Sequence, residues 1–88
     1  MAGFQPESVG LTIEATLREA LAIAPQVALD EISAEYLEAH WLNVLEAVWL
    51  IEAACGVDLP LNDNLPAQHI QNAEDLKNLC LAVAAPAA

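Results

Sequence analysis

The apolar residues of this chain recur at intervals of three and four, and no strand-like alternation competes with that pattern. Ile13, Leu17 and Leu21 form one stripe. Val44, Val48, Ile51 and Cys55 form a second, and Leu76, Leu79, Cys80 and Val83 a third. That spacing puts each set on one face of a helix, whereas a half-buried strand needs an alternation of apolar and polar positions. The fold class is thereby narrowed to all-α. Composition agrees, because 57% of the 88 residues are hydrophobic and Ala and Leu, both good helix formers, supply most of them. A chain of this length holds one domain with a modest core. Residues 1–88 are therefore read as a single unit, with 1–8 and 84–88 as frayed tails.

Punctuation divides the chain into helices. The first is expected to begin near Ser8 or Thr12, each a suitable N-cap, and to stop at Pro25, whose ring and missing N–H do not fit a helix interior. Residues 25–40 read as a long connection pinned by Val27, Leu29 and Ile32, with Ser33 capping a single turn through Tyr36 and Leu37. The second helix is expected over 40–55, closed by Gly56 and kept from resuming by Pro60. Asn62-Asp63-Asn64-Leu65-Pro66 reads as a turn into a short helix near 66–70, with Pro66 at its first position. Asn72 opens the last helix, and Asp75 three residues on makes an acidic relative of the capping box. The expected architecture is a small bundle of three main helices plus one short helix, with a long loop after the first.

Charge excludes several partners. The chain has 13 acidic residues against two basic ones, Arg18 and Lys77, for a formal net charge of −11. Nucleic acid is excluded because phosphate binding needs Lys and Arg to displace counterions, and anionic membrane surfaces are excluded for the same reason. No apolar run approaches the roughly 20 residues of a membrane span. Met1-Ala2-Gly3-Phe4 lacks the basic start of a signal peptide, so the expected compartment is the cytoplasm. Cys55 and Cys80 are too few for a stapled secreted scaffold. They read as buried free thiols, with a disulfide between helices left open.

Chemistry-bearing constellations are missing. His40 and His69 have no second His, Cys or carboxylate at ligand spacing on one helical face. Asp30, Glu31, Glu35 and Glu38 lack the spacing and central Gly of a calcium loop. There is no Ser-His-Asp set, no Cys-His pair and no glycine-rich phosphate loop. The expectation is a non-enzymatic chain without metal or cofactor. Helix 40–55 stands out differently. Beside its first stripe runs a second, made of Trp41, Leu42, Leu45 and Trp49. Two adjacent stripes exceed what one side of a small bundle needs. Either this helix is the most buried one, or part of its surface is sticky for a partner.

The run His40-Trp41-Leu42-Asn43-Val44-Leu45-Glu46 through Glu52 and Cys55-Gly56-Val57-Asp58-Leu59-Pro60 resembles the second helix of the acyl carrier protein family. That family opens the helix with Asp-Ser-Leu, follows with Glu and an acidic patch, and ends with an aliphatic residue and Pro. Leu42, Glu46, Glu52, Leu59 and Pro60 fall at the matching places without a gap, and Leu37 matches the Leu before the motif. Ile70, Asn72, Leu76 and Leu79 resemble the closing segment, so the likeness extends from about Leu11 to Val83. It implies an acyl-carrier-protein-like bundle near fatty-acid or polyketide-type biosynthesis. The departure lies in the motif itself. The family carries 4′-phosphopantetheine on the Ser of Asp-Ser-Leu, and here those positions read His40-Trp41-Leu42. Trp has no hydroxyl, so no phosphodiester can form at residue 41, and neither Ser8 nor Ser33 precedes the helix-two pattern.

The resemblance thus implies a carrier-like protein without the arm, acting as a non-catalytic interaction or accessory module. Two alternatives stand beside it: a true acyl carrier protein whose attachment Ser has been substituted, and a non-covalent binder of an apolar, fatty-acyl ligand. The family's positions matching Leu42, Leu45 and Trp49 face partner enzymes. Trp41, Leu42, Leu45, Glu46 and Trp49 are accordingly the expected partner-binding face, which a homodimer would also bury. Two opposed readings stand for single residues. Trp41 is either the centre of that face or folded back over the bundle, and Trp49 is either exposed or core. Glu46 and Glu52 match acidic positions of the family, or are simply a solvated face. Asn43 and Ala53 stand where the family has more acid, so contact chemistry is expected to be hydrophobic first and electrostatic second.

Overall fold

The structure, a computed structural model, describes residues 6–84. They form four α-helices and no strand: α1 (Pro6–Ala20), α2 (Ala34–Ala39), α3 (Trp41–Cys55) and α4 (Ala73–Ala84), with 3₁₀ turns at Leu29–Glu31 and Pro66–Gln68. The all-α bundle read from the periodicity is what the chain forms. Each expected stripe points inward. Ile13, Leu17 and Leu21 are buried, as are Val44, Val48 and Ile51 with Ala47 beside them, and Leu76 and Cys80 of α4; Leu79 and Val83 are half-buried against the same core. α1 packs on both α3 and α4 and is the centre of the arrangement.

Boundaries differ from expectation in instructive ways. α1 starts at Pro6, so Ser8 and Thr12 lie inside it; proline's fixed φ suits a first helical turn. Residues 6–8 and Ala84, expected in the tails, belong to α1 and α4, while 1–5 and 85–88 lie outside the described residues. Pro25 is not the stop. The helix ends at Ala20 because Ala22 turns left-handed, at φ 55°. Ile23 N–H then reaches back to the Arg18 carbonyl (2.8 Å) and Ala22 N–H to the Glu19 carbonyl (3.3 Å). This is a Schellman closure with alanine in the position glycine usually takes.

The connection after α1 holds more helix than a single turn. Ser33 does cap, with Tyr36 N–H donating to its Oγ (3.2 Å), but α2 continues through Ala39 and buries Leu37. Polar side chains pin this stretch. Arg18 Nη1 donates to the carbonyls of Ala24 (3.0 Å) and Val27 (2.7 Å), Tyr36 Oη donates to the Leu21 carbonyl (2.9 Å), and Asn43 Nδ2 donates to the Ala20 carbonyl (3.1 Å). Carbonyls left over where a helix ends need such partners. A backbone clasp joins the starts of α2 and α4: Ala34 N–H donates to the Gln71 carbonyl and Ala73 N–H to the Ile32 carbonyl, at 2.9 and 2.8 Å. Asn72 caps α4 as expected, receiving Asp75 N–H (2.9 Å), and Asp75 accepts from Gln71 N–H (2.9 Å). The short helix near 66–70 is a 3₁₀ turn, Pro66–Gln68, closed by His69 at φ 60°.

Candidate functional site

α3 supplies most of the expected face. It begins directly after α2, with His40 as a hinge between the two helices, and ends at Gly56, whose φ of 68° is the left-handed closure foreseen from sequence. His40 makes no side-chain cap; its Nδ1 lies 3.0 Å from the Tyr36 carbonyl oxygen, and its ring stacks on Tyr36 with centroids 4.1 Å apart. Because Val44, Ala47, Val48 and Ile51 take the inner side, geometry leaves 42, 46, 49 and 53 on the outer one.

The five expected residues divide. Leu42 is 81% exposed and Trp49 63% exposed, so Trp49 is surface and not core. Glu46 is exposed between them. Leu45 is half-buried at the edge. Trp41 is half-buried and packs against the core, which favours the folded-back reading for part of its side chain. The apolar strip is thus led by Leu42 and Trp49, with Trp41 and Leu45 as its border. Leu50, 55% exposed, joins on the opposite border. Sequence reasoning passed over it, although an apolar residue outside both stripes of one helix was the available signal.

Clefts open on either side of this strip. One, about 450 Å³, runs between α1 and α3 and is lined by Ala15, Thr16, Glu19, Ala20, Asn43, Glu46 and Leu50. The other, about 310 Å³, is lined by Trp41, Glu38 of α2 and Asp63 of the segment before the 3₁₀ turn. A third, about 390 Å³, brings Ser33, Glu35 and His69 to one place. Its hydroxyl is committed to capping α2, and no hydrogen bond joins it to His69 among the described residues.

The remaining singled-out side chains are structural. Glu52 is not merely solvated: its Oε2 accepts from Leu59 N–H at 2.7 Å and ties the 56–60 segment to α3. Both basic residues are engaged away from α3, Arg18 with Glu14 (2.9 Å) and Lys77 with Glu14 (3.7 Å) and Glu74 (3.1 Å). Cys55 is half-buried and Cys80 buried, both as free thiols. Burial first, then the neighbouring Cys55 and Glu52, pushes the Cys80 thiol up to about 12. Among the described residues no group of three or more His, Cys, Asp or Glu is placed to hold a metal ion, and no helix is long and apolar enough to cross a membrane.

Comparison with known protein families, with characterised proteins and with solved structures finds no match.

Proposed function

We propose that this chain is an acyl-carrier-protein-like helical domain that holds no 4′-phosphopantetheine at the usual position and works as a non-catalytic interaction module in the cytoplasm, beside fatty-acid or polyketide-type enzymes. One observation carries the reading: the helix that resembles the family's recognition helix exposes Leu42 and Trp49 to solvent, and begins with an indole where the family has a hydroxyl. Large exposed apolar side chains cost solubility unless a partner covers them, and aromatic anchors concentrate binding energy. The left-handed close of α3 at Gly56 and the capped start of α4 after Asn72 support the carrier-like reading.

Intact mass after incubation with coenzyme A and a promiscuous phosphopantetheinyl transferase tests this. The chain as it stands gains nothing, and Trp41→Ser gains one phosphopantetheine. Modification of the unaltered chain would overturn the armless reading. A Trp41→Ser chain that stays folded yet unmodified would overturn the carrier resemblance.

A further inference from the structure

The two free thiols lie at one end of the bundle. α3 runs antiparallel to α1, since Asn43 near its start bonds the carbonyl of Ala20 at the end of α1, and Leu50 further on shares a cleft with Ala15 and Thr16. α4 runs antiparallel to α1 as well, with Lys77 beside Glu14 and Leu81 beside Gly10. The last turns of α3 and α4 therefore both lie against the first turns of α1. At about 1.5 Å per residue, these pairings set Cys55 and Cys80 within roughly one helical turn of the same height. Both also belong to inward stripes. Cys55 continues the stripe of Val44, Val48 and Ile51, and Cys80 follows Leu76 on α4. Cys80 is part of the core cluster and Cys55 packs against it. Cys55 and the Glu52 carboxylate are near enough to Cys80 to add to the rise that burial gives its thiol.

Access and an adaptable helix end set this pair apart from ordinary core thiols. Cys55 is half-buried where Cys80 is 1% exposed, so a reagent in solution meets Cys55 first. Cys55 is the last residue of α3, and Gly56 after it has open space where a Cβ would stand. The Val57 N–H reaches back to the Glu52 carbonyl over 3.3 Å, a long bond that yields readily. The last turn of α3 thus has room to bring one sulfur onto the other, as the fixed geometry of a disulfide requires. We propose that Cys55 and Cys80 are a redox site, which a small-molecule disulfide oxidises to an intramolecular disulfide that fastens α3 to α4 and which thiols reopen. The Cys55 thiolate attacks one sulfur of the oxidant, breaks its S–S bond and expels one thiolate. The Cys80 thiolate then attacks Sγ of Cys55 in the mixed disulfide and expels the second. The two cysteine protons end on the expelled thiolates, so the pair loses two electrons and the oxidant gains them. Burial holds the proton of Cys80 up to about 12, which makes closure the slower step. A reducing compartment keeps the pair open, so the bond answers to oxidising conditions and is no standing part of the fold. None of this depends on the carrier-like reading.

The probe is oxidised glutathione added to the full, folded chain, with intact mass read after alkylation in denaturant. The expected product is a monomer lighter by two hydrogen atoms, free of alkyl and glutathione adducts, whose proteolytic map joins Cys55 to Cys80. Its urea midpoint rises by about 1–3 M over the reduced chain, because the bond constrains the unfolded state. Amide exchange slows at Val57 and Leu59, and dithiothreitol reverses both changes. Cys80→Ala, which has no second sulfur to close the pair, stops at a glutathione adduct on Cys55. An unaltered chain that stops at the same adduct, or that links into dimers through Cys55, overturns the pairing. So does a folded chain whose two thiols both remain open to alkylation after an exposure that pairs them in urea. A pair that joins yet leaves the midpoint unchanged or lowered overturns the fastening of α3 to α4.

Discussion

Gly56 and Ala22 both close a long helix with a left-handed backbone, and only the glycine suits it. Gly56 closes α3 at φ 68° with open space where a Cβ would stand, whereas Ala22 closes α1 at φ 55° with its Cβ in place. An L-residue in that region carries about 1–2 kcal/mol of steric cost that glycine avoids. Ala22→Gly is therefore expected to raise stability by roughly 0.5–1 kcal/mol and Gly56→Ala to lower it by about 1 kcal/mol, read from urea midpoints. Matching signs for the two would refute the argument from backbone conformation. Cys80 supplies a pH dependence. Its thiol titrates near 12 in the folded chain against an ordinary value of 9.0. The folded state thus holds a proton that the unfolded state releases between those values. The associated stability is fully present below pH 9.0 and is lost as pH climbs towards 12. Cys80→Ala is expected to flatten that alkaline decline, and at pH 8 a thiol reagent should label Cys55 while sparing Cys80.

At the scale of elements, the sequence is most legible where the chain punctuates itself with strong local signals. α3 falls within one residue of its expected start because its stripe and Gly56 point to the same boundaries, and Asn72 with Asp75 announces α4 in the same way. α1 and α2 are less legible for opposite reasons. The end of α1 is marked by an alanine that carries no turn signal, and α2 holds together through contacts distant in sequence, from Tyr36 to the Leu21 carbonyl and from Ala34 to the Gln71 carbonyl. Arg18 is the clearest miss. Counted only as a rare positive charge, it fastens the exit of α1 by bonding Glu14 and the carbonyls of Ala24 and Val27. Arg18→Met, which keeps the apolar stem, is expected to cost about 1–3 kcal/mol and to speed amide exchange first at Ile23 and Val27. Unchanged exchange there, with stability lowered elsewhere, would show that Arg18 acts through the ion pair with Glu14 alone.

For the whole molecule, the basic side chains lie apart from the apolar strip of α3. Both cations gather along α1 and α4, and the outer side of α3 is left with Leu42, Trp49 and Leu50 among carboxylates. Half of that face was readable in advance: the strip from its spacing, Glu46 from its register. The clefts were not, because Glu19, Glu38 and Asp63 come from three segments that only the fold brings beside α3. The central claim is that this outer side is where a partner sits. Its most direct test is a photo-reactive phenylalanine analogue placed at position 42, or at Asp58 as an exposed control, in the chain expressed in its own host and irradiated in living cells. A discrete adduct from position 42 that does not form from position 58 is the predicted result. Adducts that are the same from both positions, or none from 42 while 58 crosslinks, would contradict it.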